Sequence, residues 1–465
     1  MKHKYSLGLA VFLCLIFTGI KAQTYNYYFG NIHAHSSYSD GNKDSVTSLM
    51  TKPIQDFNYA KNALHCDFYG ISEHNHLAAG MQSPANYHQG ITDANSVNID
   101  GSFVAMYGME WGVISGGGHV IVYGSDSLFG WDASDYDIYV AKNDYASLWQ
   151  KINSRPGVFA YLAHPQTTDY DSLFMKARNA IADSAIIGMA GRSGPAFSTD
   201  STYTNPSTSN YIARYNDALK QGYHVGIGLD HDTHNSVFAR QTPGRLVVLA
   251  PSLTRANILD GIRKMRFYCS DDWNMKVDFS ISTQPMGSIM TQSGFPTISV
   301  TVSDPDVAES VASIKVYYGI PGSGTAATVL TSNTGLASLT YTHTIPNNTS
   351  YYYYLQITQT DGDKIWTSPI WYNRNDNASI STNEIVKKEF LVYPNPATKN
   401  VTVDFKMLRG KKEVELIDYA GKVLLKQESN NNKINFSVEN ISSGNYFVRV
   451  TCEGKTSSEK IIIQN

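Results

Sequence analysis

Between Tyr25 and Ser280, short apolar runs alternate with stretches whose apolar residues recur at helical spacing; after Ser280 that alternation stops. CDFYGISEH, SFVAMYGMEW, HVIVYG, GVFAYLAHP, SAIIGMA and HVGIGLDHD read as buried strands. VTSLMTKPIQDFNYAKNAL, YASLWQKINSRP, NYIARYNDALKQG and TRANILDGIRKM read as helices. A chain built this way lays its strands largely parallel between helices, so a barrel-like α/β domain of about 250 residues is expected.

From Ser280 the chain becomes rich in Thr, Ser and Tyr, with PGSG and PNN as turn signals. TISVTVSD, SIKVYYG, SLTYTHTI and YYYYLQITQTDGD alternate as strands do, which predicts an all-β, Ig-like sandwich of roughly 90 residues. The run Tyr351–Tyr354 is expected to put two rings in the core and two on the surface, rather than to form a sugar platform. NRNDNASISTNE reads as a linker, and EFLVYPNPATKNVTVDF begins another short all-β unit. The expected division is 1–22, 23–280, 281–374, 375–387 as the linker, and 388–465, within the two to four domains that 465 residues suggest.

Lys2, His3 and Lys4 precede an apolar run from Leu7 to Ile20, and Ala22 offers a small residue for cleavage. This is the pattern of a secretory signal peptide. The run is short for a span, which takes ~20 apolar residues. A secreted or cell-surface protein without a stable membrane span is expected. Removing the signal leaves Cys66, Cys269 and Cys452, too few for a disulfide framework. Cys66 and Cys269 either pair or stay as buried thiols. The balance of 37 basic and 40 acidic residues, net −3, argues against a nucleic-acid coat or an anionic membrane partner. It leaves room for a phosphate substrate, because bound metal ions can supply positive charge.

Chemistry-bearing residues gather at strand ends. GNIHAHSSYSDG supplies His33, His35 and Asp40; residues two apart on a strand share a side, so His33 and His35 can grip one ion. GISEHNH adds Glu73, His74 and His76, and GMEW adds Glu110. GGGHVIVYG places His119 at the start of a strand, and LAHP puts His164 at the end of one. LDHDTH contributes Asp230, His231, Asp232 and His234. Each alone is ordinary. Carried together to the carboxyl rim of a parallel sheet, they would build a polymetal cup. Imidazole with carboxylate suits two or three divalent ions of zinc, manganese or iron.

HAHSSYSDG, GISEHNH, GME, GGGHV, AHP and DHDTH, in that order from about Tyr28 to Asp278, resemble the PHP family, the polymerase and histidinol phosphatase metallohydrolases. GRLVVLAPSLTRANILDGIRKMRFYCSDD looks like the closing segment of its extracellular members. The resemblance implies an irregular (β/α)7 barrel and a trinuclear site. His33, His35, Glu110 and Asp232 would hold one ion. Glu110 would bridge to a second with His119 and His164. Asp40, His74 and His234 would hold a third. Glu73 stands where many members have Asp and is expected behind the ligands. His76, Asp230 and His231 are extra polar groups that the resemblance leaves without a role.

The implied reaction is hydrolysis of a phosphate mono- or diester by a metal-bridging hydroxide. Asp232 or His231 would move a proton, and Arg192 would reach the phosphate or be a solvated loop arginine. A phosphorylated small molecule or a nucleotide or nucleic-acid fragment would be the substrate. The competing readings are a surface glycan- or ligand-binding module with a degenerate metal site, and a metal-dependent amide or lactone hydrolase. YPNPATKNVTVDF, VELIDYAGKVL and ISSGNYFVRVTCEGKTSSEKIIIQ resemble the C-terminal sorting domain of the type IX secretion system, which implies the type IX machinery as a partner.

Overall fold

The computed structural model describes residues 24–464 apart from 77–82, 114–116, 133–134, 208, 307, 378–389, 406–407, 409, 419–421 and 453–454. The signal expected at 1–22 lies outside the described residues, as does most of the linker expected at 375–387. The chain divides into two compact units, Met1–Asn377 and Ala378–Asn465.

In the first unit, seven strands come from the apolar runs: β1 (Asn26–Asn31), β2 (Phe68–His74), β3 (Val104–Trp111), β4 (Val120–Tyr123), β5 (Phe159–Leu162), β6 (Ile186–Ser193) and β7 (Gly226–Asp230). They lie in the order β7-β6-β5-β4-β3-β2-β1. Every residue of β2, β3, β4, β5 and β7 is buried, as strands covered on both faces must be. The sheet curls onto itself. Just past β7 and β1, the Asp232 N–H donates to His33 O at 2.9 Å and the His35 N–H donates to Thr233 O at 2.8 Å.

Most neighbours are parallel, but β4 runs antiparallel to both β3 and β5. The beginning of β4 therefore shares a rim with the ends of its neighbours. Beyond β1 the sheet continues through β8 (Arg245–Ala250) and β9 (Phe267–Ser270), each antiparallel to its predecessor.

Helices pack around the strands by narrow apolar stripes. In Tyr145–Asn153 the buried residues are Tyr145, Leu148, Trp149 and Ile152, the i, i+3, i+4, i+7 pattern of one helix face. Each such burial is worth about 1.5–3 kcal/mol relative to exposure. The Asp144 side chain caps that helix by accepting from the Ser147 N–H.

The Thr- and Tyr-rich region forms two packed sheets. Lys276–Ile281, which spans the composition change at Ser280, pairs antiparallel with Thr297–Ser303. Facing it are Val311–Gly319, Thr349–Gln359 and Lys364–Thr367. Lys364–Thr367 pairs with β9, so one sheet runs from the curled α/β region into the sandwich. This is why none of the four tyrosines is a surface residue, contrary to the expected two. Tyr352, Tyr353 and Tyr354 are buried and Tyr351 is half-buried. The outward face of their strand is covered by helix Ile212–Lys220, where Tyr354 donates to Asn216 Oδ1 at 2.9 Å.

Strand makes up 41% of the chain and helix 17%, so the whole is mostly β. The second unit is a small β-sandwich. Its sheets are Leu391–Tyr393, Asn400–Asp404 and Lys433–Ser437, and Lys412–Ile417, Val423–Ser429, Gly444–Cys452 and Lys455–Ile463. They enclose a core of Val401, Val403, Leu416, Phe436, Val448 and Ile461. Among the described residues no helix is long and apolar enough to cross a membrane. Cys66 and Cys269 do not pair with each other; both are thiols.

Candidate metal centre

Glu110 is the centre of the cup. It sits on β3, wholly buried, with five imidazoles around its carboxylate. Oε1 lies 3.2 Å from His33 Nε2, 2.9 Å from His119 Nδ1 and 3.1 Å from His164 Nε2. Oε2 lies 3.4 Å from His35 Nε2 and 2.9 Å from His74 Nδ1. A carboxylate offers about four lone-pair sites, so five ring nitrogens oversubscribe it as a hydrogen-bond acceptor. Despite these approaches, His33 Nε2, His74 Nδ1 and Glu110 Oε2 are buried without an aligned hydrogen bond. Lone pairs that converge on shared space in this way suit cations between them.

Each ligand is placed by a local device. His33 and His35 continue the alternation of β1, with Ile32 and Ala34 turned into the core. The Asp40 turn folds back over His35 because Gly41 has no side chain; a Cβ there would lie 2.0 Å from His35 O. Asp40 Oδ1 then stands 3.5 Å from His74 Nε2 and 3.4 Å from His234 Nε2. His119 reaches the cup from the start of β4, which only the antiparallel direction of β4 allows. His164 and Asp232 sit at φ 28° and 50°, a left-handed backbone that non-glycine residues adopt at a cost of about 1–3 kcal/mol each. Asp232 Oδ1 lies 3.3 Å from His33 Nε2 and 3.2 Å from His35 Nε2.

Neighbouring acceptors set the imidazole tautomers. The His234 Nδ1–H donates to Asp232 O at 2.8 Å, leaving the Nε2 lone pair toward Asp40. The His33 Nδ1–H donates to Asp230 Oδ2 at 3.1 Å, leaving Nε2 toward Glu110. Burial works to raise Glu110, but His119, His33 and His74 outweigh it and hold the carboxyl well below its usual range. Burial and the neighbouring His74 push His35 down to about 3. The carboxylates stay anionic and His35 stays neutral, the forms that bind metal.

All nine expected ligands, His33, His35, Asp40, His74, Glu110, His119, His164, Asp232 and His234, come together. His33, His35 and Glu110 form one group that can hold an ion, Glu110, His119 and His164 a second, and His35, His74 and His234 a third beside Asp40. Donor chemistry and the unpartnered buried atoms fit divalent ions. Glu73 lies behind them: it accepts from the Ser36 N–H, from the Ser36 and Ser39 hydroxyls, and at 3.5 Å from the Tyr107 hydroxyl. His76 stacks on Trp131 and lies beside His74.

Two expected catalytic residues are elsewhere. His231 is buried on the core side, its Nε2–H donating to Gly244 O at 2.9 Å, and burial with nearby Arg245 pushes it down to about 3. It does not line the cup and cannot pass a proton there. Arg192 points to the opposite side of β6 from Ser193. Its guanidinium donates to Asp271 at 3.1 Å and Ser207 O at 2.9 Å and lies over Trp366, so it does not reach the cup.

Asp230, one of the residues the sequence left without a role, joins His33 to the Ser193 hydroxyl. The cup opens into a cavity of about 430 Å³, with Gln166, Gly194, Phe197 and Tyr211 at its walls. Phe197 is 64% exposed, and its ring lies 4.5 Å from that of His234. No lysine or arginine lines this cavity among the described residues; Lys43 stands behind Phe197, 3.1 Å from Asp40.

An uncharacterized protein of Chlamydia pneumoniae is 23% identical over 158 residues, which is 32% of this chain and 26% of that protein. The chain thus spans about a quarter of the curated relative it matches. Among solved structures, fibronectin(III)-like modules of Clostridium thermocellum CbhA are 18% identical, covering 41% of this chain and 94% of theirs, at a TM-score of 0.16. The superoxide reductase (neelaredoxin) from Ignicoccus hospitalis is 13% identical, covering 22% of this chain and 80% of its own, at 0.17. At those scores neither bears on fold or function. Residues 391–464 match the secretion system C-terminal sorting domain, so the second unit of this chain is a type IX sorting domain and marks the protein for export to the cell surface or beyond.

Proposed function

We propose that this chain is a secreted, metal-dependent hydrolase of phosphate mono- or diesters, and that its α/β half is a PHP-type domain with an irregular (β/α)7 barrel. One observation carries the reading: a single buried carboxylate, Glu110, shared by five imidazoles. Such a group serves to bridge cations, since it is too crowded to be a hydrogen-bond acceptor for all five.

His33, His35, Glu110 and Asp232 would hold one ion, Glu110, His119 and His164 a second, and Asp40, His74 and His234 a third. When bound, two or three zinc, manganese or iron ions supply a nucleophilic water at neutral pH and positive charge for the phosphoryl oxygens. The chain's own residues do the rest. Asp230 fixes the ring orientation of His33. Asp232, an anionic carboxylate at the cavity wall, would take the proton of the attacking water and relay it to the leaving oxygen. Phe197 and Tyr211 give the leaving group an apolar seat.

A metal-dependent amide or lactone hydrolase is the second reading. It is favoured by the absence of lysine and arginine from the cavity wall among the described residues, which leaves no side-chain cation for a phosphate. One panel separates the two: an aryl phosphate, a bis-aryl phosphodiester, an aryl amide and a lactone, assayed with manganese and zinc beside metal analysis of the same sample. Turnover of the phosphates, lost in a His33→Ala, Glu110→Ala double variant, is expected. Unchanged turnover in that variant would remove this site from the reaction.

A further inference from the structure

Three connections at one end of the sandwich bring together oxygen donors that lie apart from the cup. They are the segment Asp271–Met275 after β9, the loop 304–310, and the turn 359–364. Asp306 Oδ2 accepts from Trp273 Nε1–H and from Asn274 Nδ2–H, both at 3.1 Å. Asp304 Oδ2 accepts from Gln359 Nε2–H at 2.7 Å. Asp272 Oδ1 accepts from the N–H groups of Asn274 and Met275 at 2.7 and 2.5 Å. The Glu309 and Asp272 carboxyls are electrostatic neighbours.

The two amides are the telling part. Asn274 is 4% exposed and Gln359 1%, and neither Asn274 Oδ1 nor Gln359 Oε1 has a hydrogen-bond partner. Each amide nitrogen is fastened to a carboxylate, and the oxygen of the same amide is left without a donor. Turning either amide over would set its oxygen against Asp304 or Asp306 and leave the nitrogen stranded instead.

Local cations do not resolve this. Arg192 is joined to Asp271, and the Arg245 guanidinium donates to five carbonyl oxygens.

We propose that Asp272, Asn274, Asp306, Glu309 and Gln359, beside Asp304, form a calcium site that pins the end of β9 to two sandwich loops. All-oxygen donors suit calcium, which takes 6–8 oxygens at about 2.3–2.6 Å; magnesium demands a tighter octahedron and keeps its waters. Extracellular modules of this kind bind calcium at roughly 0.1–1 mM.

Trp273 makes the test direct, because its indole touches Asp306 and can sensitise terbium bound there. The full chain should show terbium emission on tryptophan excitation, displaced by millimolar calcium and far less by magnesium. Calcium at about 5 mM should raise Tm by roughly 2 °C. The Asp306→Asn, Glu309→Gln double variant should lose both responses. Trp273→Phe should lose this emission and keep the calcium shift. The His33→Ala, Glu110→Ala variant of the cup should keep both. An unresponsive Tm in the wild type, an equal response to magnesium, or a calcium shift that survives Asp306→Asn, Glu309→Gln would overturn the site. The wild-type and Trp273→Phe measurements decide the matter even if the double variant fails to fold.

Discussion

Asp230 and His33 meet at 3.1 Å inside the core, carboxylate oxygen on Nδ1, and that contact turns the His33 Nε2 lone pair toward Glu110. The pair is wholly buried, so water cannot replace either partner.

Asp230→Asn should therefore weaken metal binding by roughly 10–100-fold, the usual cost of removing the group behind a ligand histidine. Metal content after dialysis against a graded zinc buffer measures it. An unchanged zinc affinity would show that the contact is only structural.

Glu110→Gln keeps the shape of the side chain and removes its charge. Hydrolysis should fall by about 10³-fold or more, as for loss of a main electrostatic element of a metal site. Metal per chain should fall with it while the circular dichroism spectrum is retained. A variant that keeps its full metal content would argue against the bridging role.

Gly41→Ala should loosen the turn that carries Asp40, because the added methyl would lie 2.0 Å from a backbone oxygen that cannot move away cheaply. Overpacking of this kind costs about 1–3 kcal/mol. The Tm should fall, and the metal ratio should fall by less than in Glu110→Gln, because only the Asp40, His74 and His234 group is disturbed.

Asp183 offers a pH test away from the cup. Burial would raise its carboxyl, but hydrogen bonds from the His224 ring at 2.9 Å and the His224 N–H at 2.6 Å outweigh it and hold the group below its usual range. A carboxyl depressed by folding contributes stability above its unfolded pKa, near 3.9, and loses it as pH falls through the folded value. Asp183→Asn should thus melt about 2 °C below wild type at neutral pH. The gap should close in acid below about pH 4. A gap of constant size across that range would assign the effect to packing instead.

The strands of the α/β half were legible because apolar runs of that length have few other fates, and the ligands were legible because they cap those runs. Direction was not. HVIVYG reads the same whichever way it crosses the sheet: His119 was legible at a strand start, but not the antiparallel run that puts that start on the rim. The side on which Arg192 falls was equally hidden. Gly191 is an extra residue in β6 where it pairs with β7, and that bulge sets which side Arg192 faces. Helix Pro84–Val97 escaped notice because its buried face is Tyr87, Gly90, Asp93, Ala94 and Val97, the right spacing in residues of mixed polarity. The orientation of His231 followed from partners at Asn31 and Gly244 that no local pattern announces.

The two hydrogen bonds that close the curled sheet, between His33 and Asp232 and between His35 and Thr233, join segments about 200 residues apart in the chain. The proposed ligands sit on both sides of that closure, and the last of them is His234. An ion that meets the growing chain early finds an imidazole pair without the acidic partner that completes it. Closing so long a loop is slow, because its entropy must be overcome before the contacts repay it. On the proposed reading of the cup as a metal site, loading would follow the closure of the backbone rather than precede it.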